Sequence, residues 1–133
     1  MITAVDTSVL LDVFIADPTN LEASQKALRV CLREGSLVVC GIVTAELRPC
    51  FASRHALLEA LDTLGAAYSP ITQEAAFLAG ETWTRYRKAG GKRDRLIPDF
   101  LIAAHARCSA DRLLTRDRGF YKRWFRELRI LKP

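Results

Sequence analysis

ITAVD, residues 2–6, is short and apolar enough to be a buried strand and is closed by a carboxylate. The same form returns in RLLTRD, residues 112–117, where Arg112–Thr115 reads as a strand and Asp117 to Gly119 as a turn. Leu37–Cys40, Ala67–Ser69 and Arg129–Leu131 read as three further short strands. Helical signals lie between them. One helix starts near Ser8, and Thr19-Asn20-Leu21-Glu22 has the form of a capping box opening a second that Gly35 ends. Gly41 turns the chain into IVTAELRPCF, helical but broken near Pro49, and a further helix runs from about Ser53 to Leu64. Thr72 caps a long helix to Gly90, and Pro98 stands in the first turn of another that ends near Ser109. Strands alternating with helices predict a mostly parallel sheet with helices on both faces, in one domain spanning 1–133. Such sheets bind ligands beyond the carboxyl ends of their strands, where Asp6 and Asp117 both fall.

The chain has 133 residues, half of them hydrophobic and about a quarter charged, which suits one folded core and excludes a disordered or fibrous chain. Its net charge of +5 and pI near 9.3 favour an acidic partner. The cations gather late: Arg112, Arg116, Arg118, Lys122, Arg123 and Arg126 are interleaved with Phe120, Tyr121, Trp124 and Phe125. That pattern is read either as a nucleic-acid face or as a solvated face over ordinary core aromatics. The N-terminus has no basic leader and carries Asp6 and Asp12 in its apolar run, so neither a signal peptide nor a membrane span is expected and a cytoplasmic location is. Cys31, Cys40, Cys50 and Cys108 form no C-x-x-C pair, which favours reduced, mostly structural thiols over zinc.

Two more carboxylates stand among apolar neighbours. Glu46 shares a helical face with Ile42, Val43 and Cys50, which predicts partial burial, and Asp99 shares one with Ile102, Ala103 and Ala106. Each has a plain alternative, Asp6 as a helix cap, Asp117 as turn chemistry and Asp99 as a first-turn acid favoured by the helix dipole. Converging carboxylates without cations between them would repel one another unless a divalent ion sat among them. A site of oxygen ligands suits magnesium or manganese, and such an ion can activate water and neutralise phosphate oxygens, which makes phosphodiester hydrolysis the reaction class.

These stretches resemble the PIN domain, and in particular the VapC-type toxins of bacterial toxin–antitoxin pairs. The carriers are VDTSVLLD (5–12), TAEL (44–47), IPDFLIAAHA (97–106) and LTRDRGFY (114–121), and the likeness spans nearly the whole chain. The resemblance implies a three-layer α/β/α sandwich and magnesium- or manganese-dependent endoribonuclease activity. By position, Asp6 and Asp99 correspond to the principal metal ligands, Glu46 to the third acidic residue and Asp117 to the fourth, with Ser8 and Thr115 as supporting hydroxyls. It also implies an RNA substrate, a cognate antitoxin that covers the pocket, and a homodimer. Arg116, Arg118, Lys122 and Arg123 are the candidates for holding RNA phosphates.

Several residues are set aside. Asp12 is expected to face solvent or pair two helices, Asp94 to pair with its neighbouring arginines, and His105 to be a satisfied core histidine. A phospho-aspartate phosphatase of the haloacid-dehalogenase type would carry a second Asp two positions after Asp6, where Ser8 stands. A non-catalytic binding module would explain the basic stretch but not the buried-looking carboxylates, and a housekeeping RNA-processing nuclease remains the alternative to a toxin.

Overall fold

In the computed structural model, which describes residues 1–92 and 97–133 without the Arg118 side chain, Ile2–Val5 (β1) is the central strand of a five-stranded sheet. Ser36–Val39 (β2) and Ala66–Tyr68 (β3) extend it on one side, and Arg112–Leu114 (β4) and Ile130–Leu131 (β5) on the other. The order is β3-β2-β1-β4-β5, and all four pairings are parallel. Ala4 is in register with Val38 and with Leu113, and Val5 with Leu114, so β1 is flanked by apolar strands. Val5, Leu37, Val39, Leu113 and Leu114 are each 0–1% exposed, and each such side chain contributes about 1.5–3 kcal/mol by burial.

The helices are Thr7–Phe14 (α1), Leu21–Glu34 (α2), Gly41–Leu47 (α3), Arg54–Leu64 (α4), Gln73–Lys88 (α5), Ile97–Ser109 (α6) and Arg118–Trp124 (α7). The chain winds outward from β1 to β3, then crosses back to β4 and β5. Right-handed crossovers therefore put α1–α4 on one face and α5–α7 on the other. The packing agrees, since α1 meets α2 and α3 while α5 lies along α6. This is the expected α/β/α sandwich, and its topological switch point falls between β1 and β4, the strands that deliver Asp6 and Asp117.

Local chemistry accounts for most boundaries. Ser53 and Thr72 each accept the backbone N–H three residues on, capping α4 and α5, and Gly65 ends α4 at φ +86°, a left-handed conformation that favours glycine. Pro49 converts the end of α3 into a single 3-10 turn, Arg48–Cys50. Three expectations are corrected. The capping box at Thr19 is not made: the Asp17 carboxylate takes the N–H groups of Thr19 and Asn20, because a shorter Asx-type turn satisfies them first, and α2 begins at Leu21. The turn placed at Asp117–Gly119 is the start of α7, which the sequence pattern did not signal. Arg112 is not on a basic surface: it is 3% exposed, donates Nε–H to Thr3 Oγ1 at 2.9 Å and pairs with Glu34. Asp94 and its neighbouring arginines lie outside the described residues.

The aromatic residues of the C-terminal stretch are core residues. Phe120 and Trp124 pack edge-on against Tyr86, and Phe100 meets Phe120 at 5.1 Å between centroids. Tyr121 and Phe125 are buried. Of the two readings of that stretch, the aromatics take the plain one.

Candidate active site

Asp6 is the first residue after β1 and the N-cap of α1, with extended backbone at φ −75° and ψ 151°. Its Oδ1 accepts the Thr7 N–H at 2.8 Å, and its Oδ2 accepts the hydroxyls of Thr115 at 2.6 Å and Ser8 at 3.2 Å. The expected hydroxyl residues thus converge on one carboxylate oxygen. Asp6 is 7% exposed, and burial pushes its carboxyl above the ordinary value. The bonds from Thr115, Thr7 and Ser8 oppose that rise, and the negative charge of Asp99 adds to it. Cap and buried acid, set apart as alternatives by the sequence, are one residue here.

Two of the other three acids are tied to Asp6 through intermediary hydroxyls, and the third acts on it by charge. Asp117 follows β4, and its backbone N–H donates at 3.0 Å to the same Thr115 Oγ1 that donates to Asp6. Asp99 is the third residue of α6, half-buried, and close enough to act on Asp6 by charge. Glu46 is reached through Thr7, whose hydroxyl donates to Glu46 Oε1 at 2.8 Å while its N–H donates to Asp6. The expected partial burial of Glu46 is corrected: the residue is exposed, because Val43 and Leu47 form the buried stripe of α3 and Glu46 lies on its flank. Thr7 is a residue the sequence reasoning passed over. Its signal was present, since a hydroxyl directly after a strand-end Asp sits where it can reach the next element.

The remaining candidates divide. Asp12 is corrected from the solvent-facing alternative: it is 2% exposed and joins α1 to α2 by accepting the Ser24 hydroxyl at 2.6 Å, the helix-pairing role. Arg116 is bound to Asp12, with Nε 2.9 Å from Oδ2 and Nη2 3.0 Å from Oδ1. Lys122 and Arg123 are exposed on α7, and the Arg123 guanidinium lies 5.3 Å from the Trp124 ring centroid. Arg123 and Trp124 also line a groove of about 900 Å³ with Phe77, Arg85 and Arg107, on the α5–α7 side of the molecule. The Arg118 side chain is outside the described residues. His105 is buried with Nε2 2.9 Å from Ser69 Oγ, and burial lowers its pKa, so it is a neutral core histidine. Cys31 and Cys40 are buried thiols, while Cys50 and Cys108 are exposed and free.

Among the described residues, no three His, Cys, Asp or Glu side chains form a group that would enclose a metal ion. The donor set nevertheless fits a hard cation held in the open. Asp6 and Asp99 are oxygen donors in mutual repulsion, and magnesium is commonly held by one or two carboxylates while keeping water and substrate phosphate as its other ligands. Asp6 Oδ1 accepts one hydrogen bond and retains acceptor capacity for such an ion.

A family model for the PIN domain matches residues 3–124. No curated protein matches the chain. Among solved structures, the VapBC2 complex of Rickettsia felis bound to a promoter DNA fragment superposes with a TM-score of 0.77 at 21% identity, covering 100% of this chain and 99% of that one. VapBC-1 of nontypeable Haemophilus influenzae gives 0.73 at 19% identity, covering 99% and 98%. The sarcin-ricin-loop-cleaving toxin VapC20 of Mycobacterium tuberculosis gives 0.63 at 19%, covering 96% and 98%. At these identities the likeness is one of fold. Among the described residues, no helix is long and apolar enough to cross a membrane.

Proposed function

The chain belongs to the PIN domain family, and from that we propose that it is a magnesium- or manganese-dependent endoribonuclease acting as the toxin of a toxin–antitoxin pair. The observation that carries the reading is the buried Asp6 carboxylate, linked through Thr7, Thr115 and repulsion from Asp99 to three other acids at the switch point of the sheet. Asp6 and Asp99 would hold the ion, with Glu46 and Asp117 completing the acidic pocket. The bound ion supplies activation of water and neutralisation of the phosphate oxygens. Ser8 and Thr115 fix the direction of Asp6 Oδ2, and Thr7 holds Glu46 at the rim, where it can orient a water without being buried itself. The likeness to VapBC assemblies supports an antitoxin partner that covers this pocket, with an Arg or Lys directed at Asp6 and Asp99 as a substitute for the ion. A homodimer belongs to the same reading.

The test is incubation of the purified protein with total RNA, with and without magnesium, followed by mapping of the cleaved ends. Discrete cleavage with magnesium and none in excess EDTA is expected. In cells that lack the partner, expression of the wild type should arrest growth and Asp99→Asn should not. Equal growth of both would favour an RNA-processing nuclease over a toxin.

Lys122 and Arg123 are the described members of the proposed RNA-binding set that make no ion pair. Replacing both with Ala should lower the slope of log affinity against log salt by about 1.4, at about 0.7 per phosphate on a single strand. An unchanged slope places the RNA on another face.

A further inference from the structure

The Thr115–Asp117 segment reaches the site as the chain leaves β4. Thr115 and Asp117 both take part in the hydrogen bonds around Asp6, whereas Arg116 between them is engaged with Asp12, as expected where alternate residues leave a strand on opposite sides. The Thr115 backbone N–H is the last ladder bond, to Leu131 O at 3.0 Å, and beyond it the Thr115 Oγ1–Asp6 Oδ2 bond is one tie to the start of α1. Arg116 adds a second tie, past the last ladder bond. Arg116 presents Nε and Nη2 to the two oxygens of Asp12, a fork geometry that fixes direction as well as distance. Asp12 is itself fixed, 2% exposed and bonded at Oδ2 by Ser24 of α2. It lies on the same helix that Asp6 caps, six residues further on, or about 9 Å along the axis. The segment is therefore tied to α1 at two separated points.

We propose that Asp12 and Arg116 are a positioning pair that sets Thr115 and Asp117 against Asp6, and that Arg116 serves the site in this way rather than by contacting RNA phosphates. The pair acts on the proposed metal pocket through the backbone of 115–117, and its activity readout rests on the nuclease reading above. Its geometry does not.

The test uses the full chain as Asp12→Asn, Arg116→Gln and both together, with Arg116→Lys as the conservative variant. Asp12→Asn keeps an acceptor for Ser24, and Arg116 has a side chain 40% exposed, so both positions tolerate the change without emptying the core. The first readout is hydrogen exchange at the Asp117 amide, which is bonded to Thr115 Oγ1. The second is calorimetric titration with Mn²⁺ in the absence of RNA. Each single variant should raise the exchange rate and weaken Mn²⁺ binding by about tenfold, and the double variant should do no more than either, as expected for two ends of one interaction. Arg116→Lys should fall between wild type and Arg116→Gln. With RNA, kcat should fall while KM stays unchanged. Unaltered exchange and Mn²⁺ affinity in all variants would overturn the proposal, as would a raised KM in Arg116→Gln that Asp12→Asn does not share. Should the wild type cleave no RNA, the nuclease reading fails, while exchange and Mn²⁺ affinity still decide the role of the pair.

Discussion

Asp6→Asn and Asp99→Asn are each expected to lower magnesium-dependent RNA cleavage by about a thousandfold or more, since the ion contributes several kcal/mol of charge stabilisation and about 4 kcal/mol corresponds to that factor. Both substitutions keep shape closely and remove one negative charge. At Asp6 the effect has a second source, because an amide in place of the carboxylate turns one acceptor atom into a donor facing either the Thr7 N–H or the two hydroxyls of Ser8 and Thr115. Thr115→Val removes the bond to the Asp6 carboxylate and the acceptor of the Asp117 N–H, yet takes no charge from the pocket, and should cost less, about 10- to 100-fold. Glu46→Gln and Asp117→Asn should also be severely impaired. RNA binding without metal should be little changed throughout, which separates loss of chemistry from loss of the substrate surface. Cleavage at the wild-type rate in excess EDTA, or by both Asp6→Asn and Asp99→Asn, would sink the metal mechanism.

The order in which these residues became legible follows their physics. β1 and β4 are central parallel strands, covered on both faces, so each carries a buried apolar pair, Ala4-Val5 and Leu113-Leu114, one to three residues before an acid. Edge strand β5 is short, and the expected Arg129–Leu131 exceeds it by one residue. Helix α7 was hidden because Asp117-Arg118-Gly119 is ordinary turn chemistry, and its two turns are held by burial of Tyr121 and the packing of Trp124 on Tyr86, contacts made across the fold. Glu46 shows the limit of counting by threes and fours. It does share a face with Ile42 and Val43, but the buried stripe runs through Val43 and Leu47, and Glu46 sits about 60° off Val43 at 100° per residue. Asp12 shows a different limit. A carboxylate on an apolar helix can be read as misplaced or solvent-facing until its cation is known, and that cation lies 104 positions away. The strand-end acids could be found from sequence because their positions are set locally, as is the Ser8 hydroxyl two residues on, whereas the pairing of Arg116 with Asp12 depends on contact between distant segments.

In a thermal melt at neutral pH, Asp99→Asn is expected to be as stable as the wild type or more so in EDTA, and to gain nothing from magnesium. The reasoning starts from Asp6, whose folded pKa is raised above the ordinary value of 3.8 first by burial and further by Asp99. Between the unfolded value and the raised folded one, the folded chain therefore holds a proton that the unfolded chain has released. Stability from this group is fully present below the unfolded value and is lost as pH rises through the raised folded one. Above the raised folded value the metal-free wild type bears that penalty, and removing the Asp99 charge lessens it, although the share due to burial remains. Magnesium binding only to the folded state reverses the penalty by mass action. At ten times its dissociation constant it adds about 1.4 kcal/mol, or about 4–6 °C for a chain of this size. The gain should fade on acidification, as protons compete for the same oxygens. With Asp99 neutral, one ligand and one charge are gone, and the magnesium shift goes with them. A variant that is strongly destabilised in EDTA, yet shifted by magnesium as far as the wild type, would make Asp99 a structural acid at the start of α6 and place any metal elsewhere.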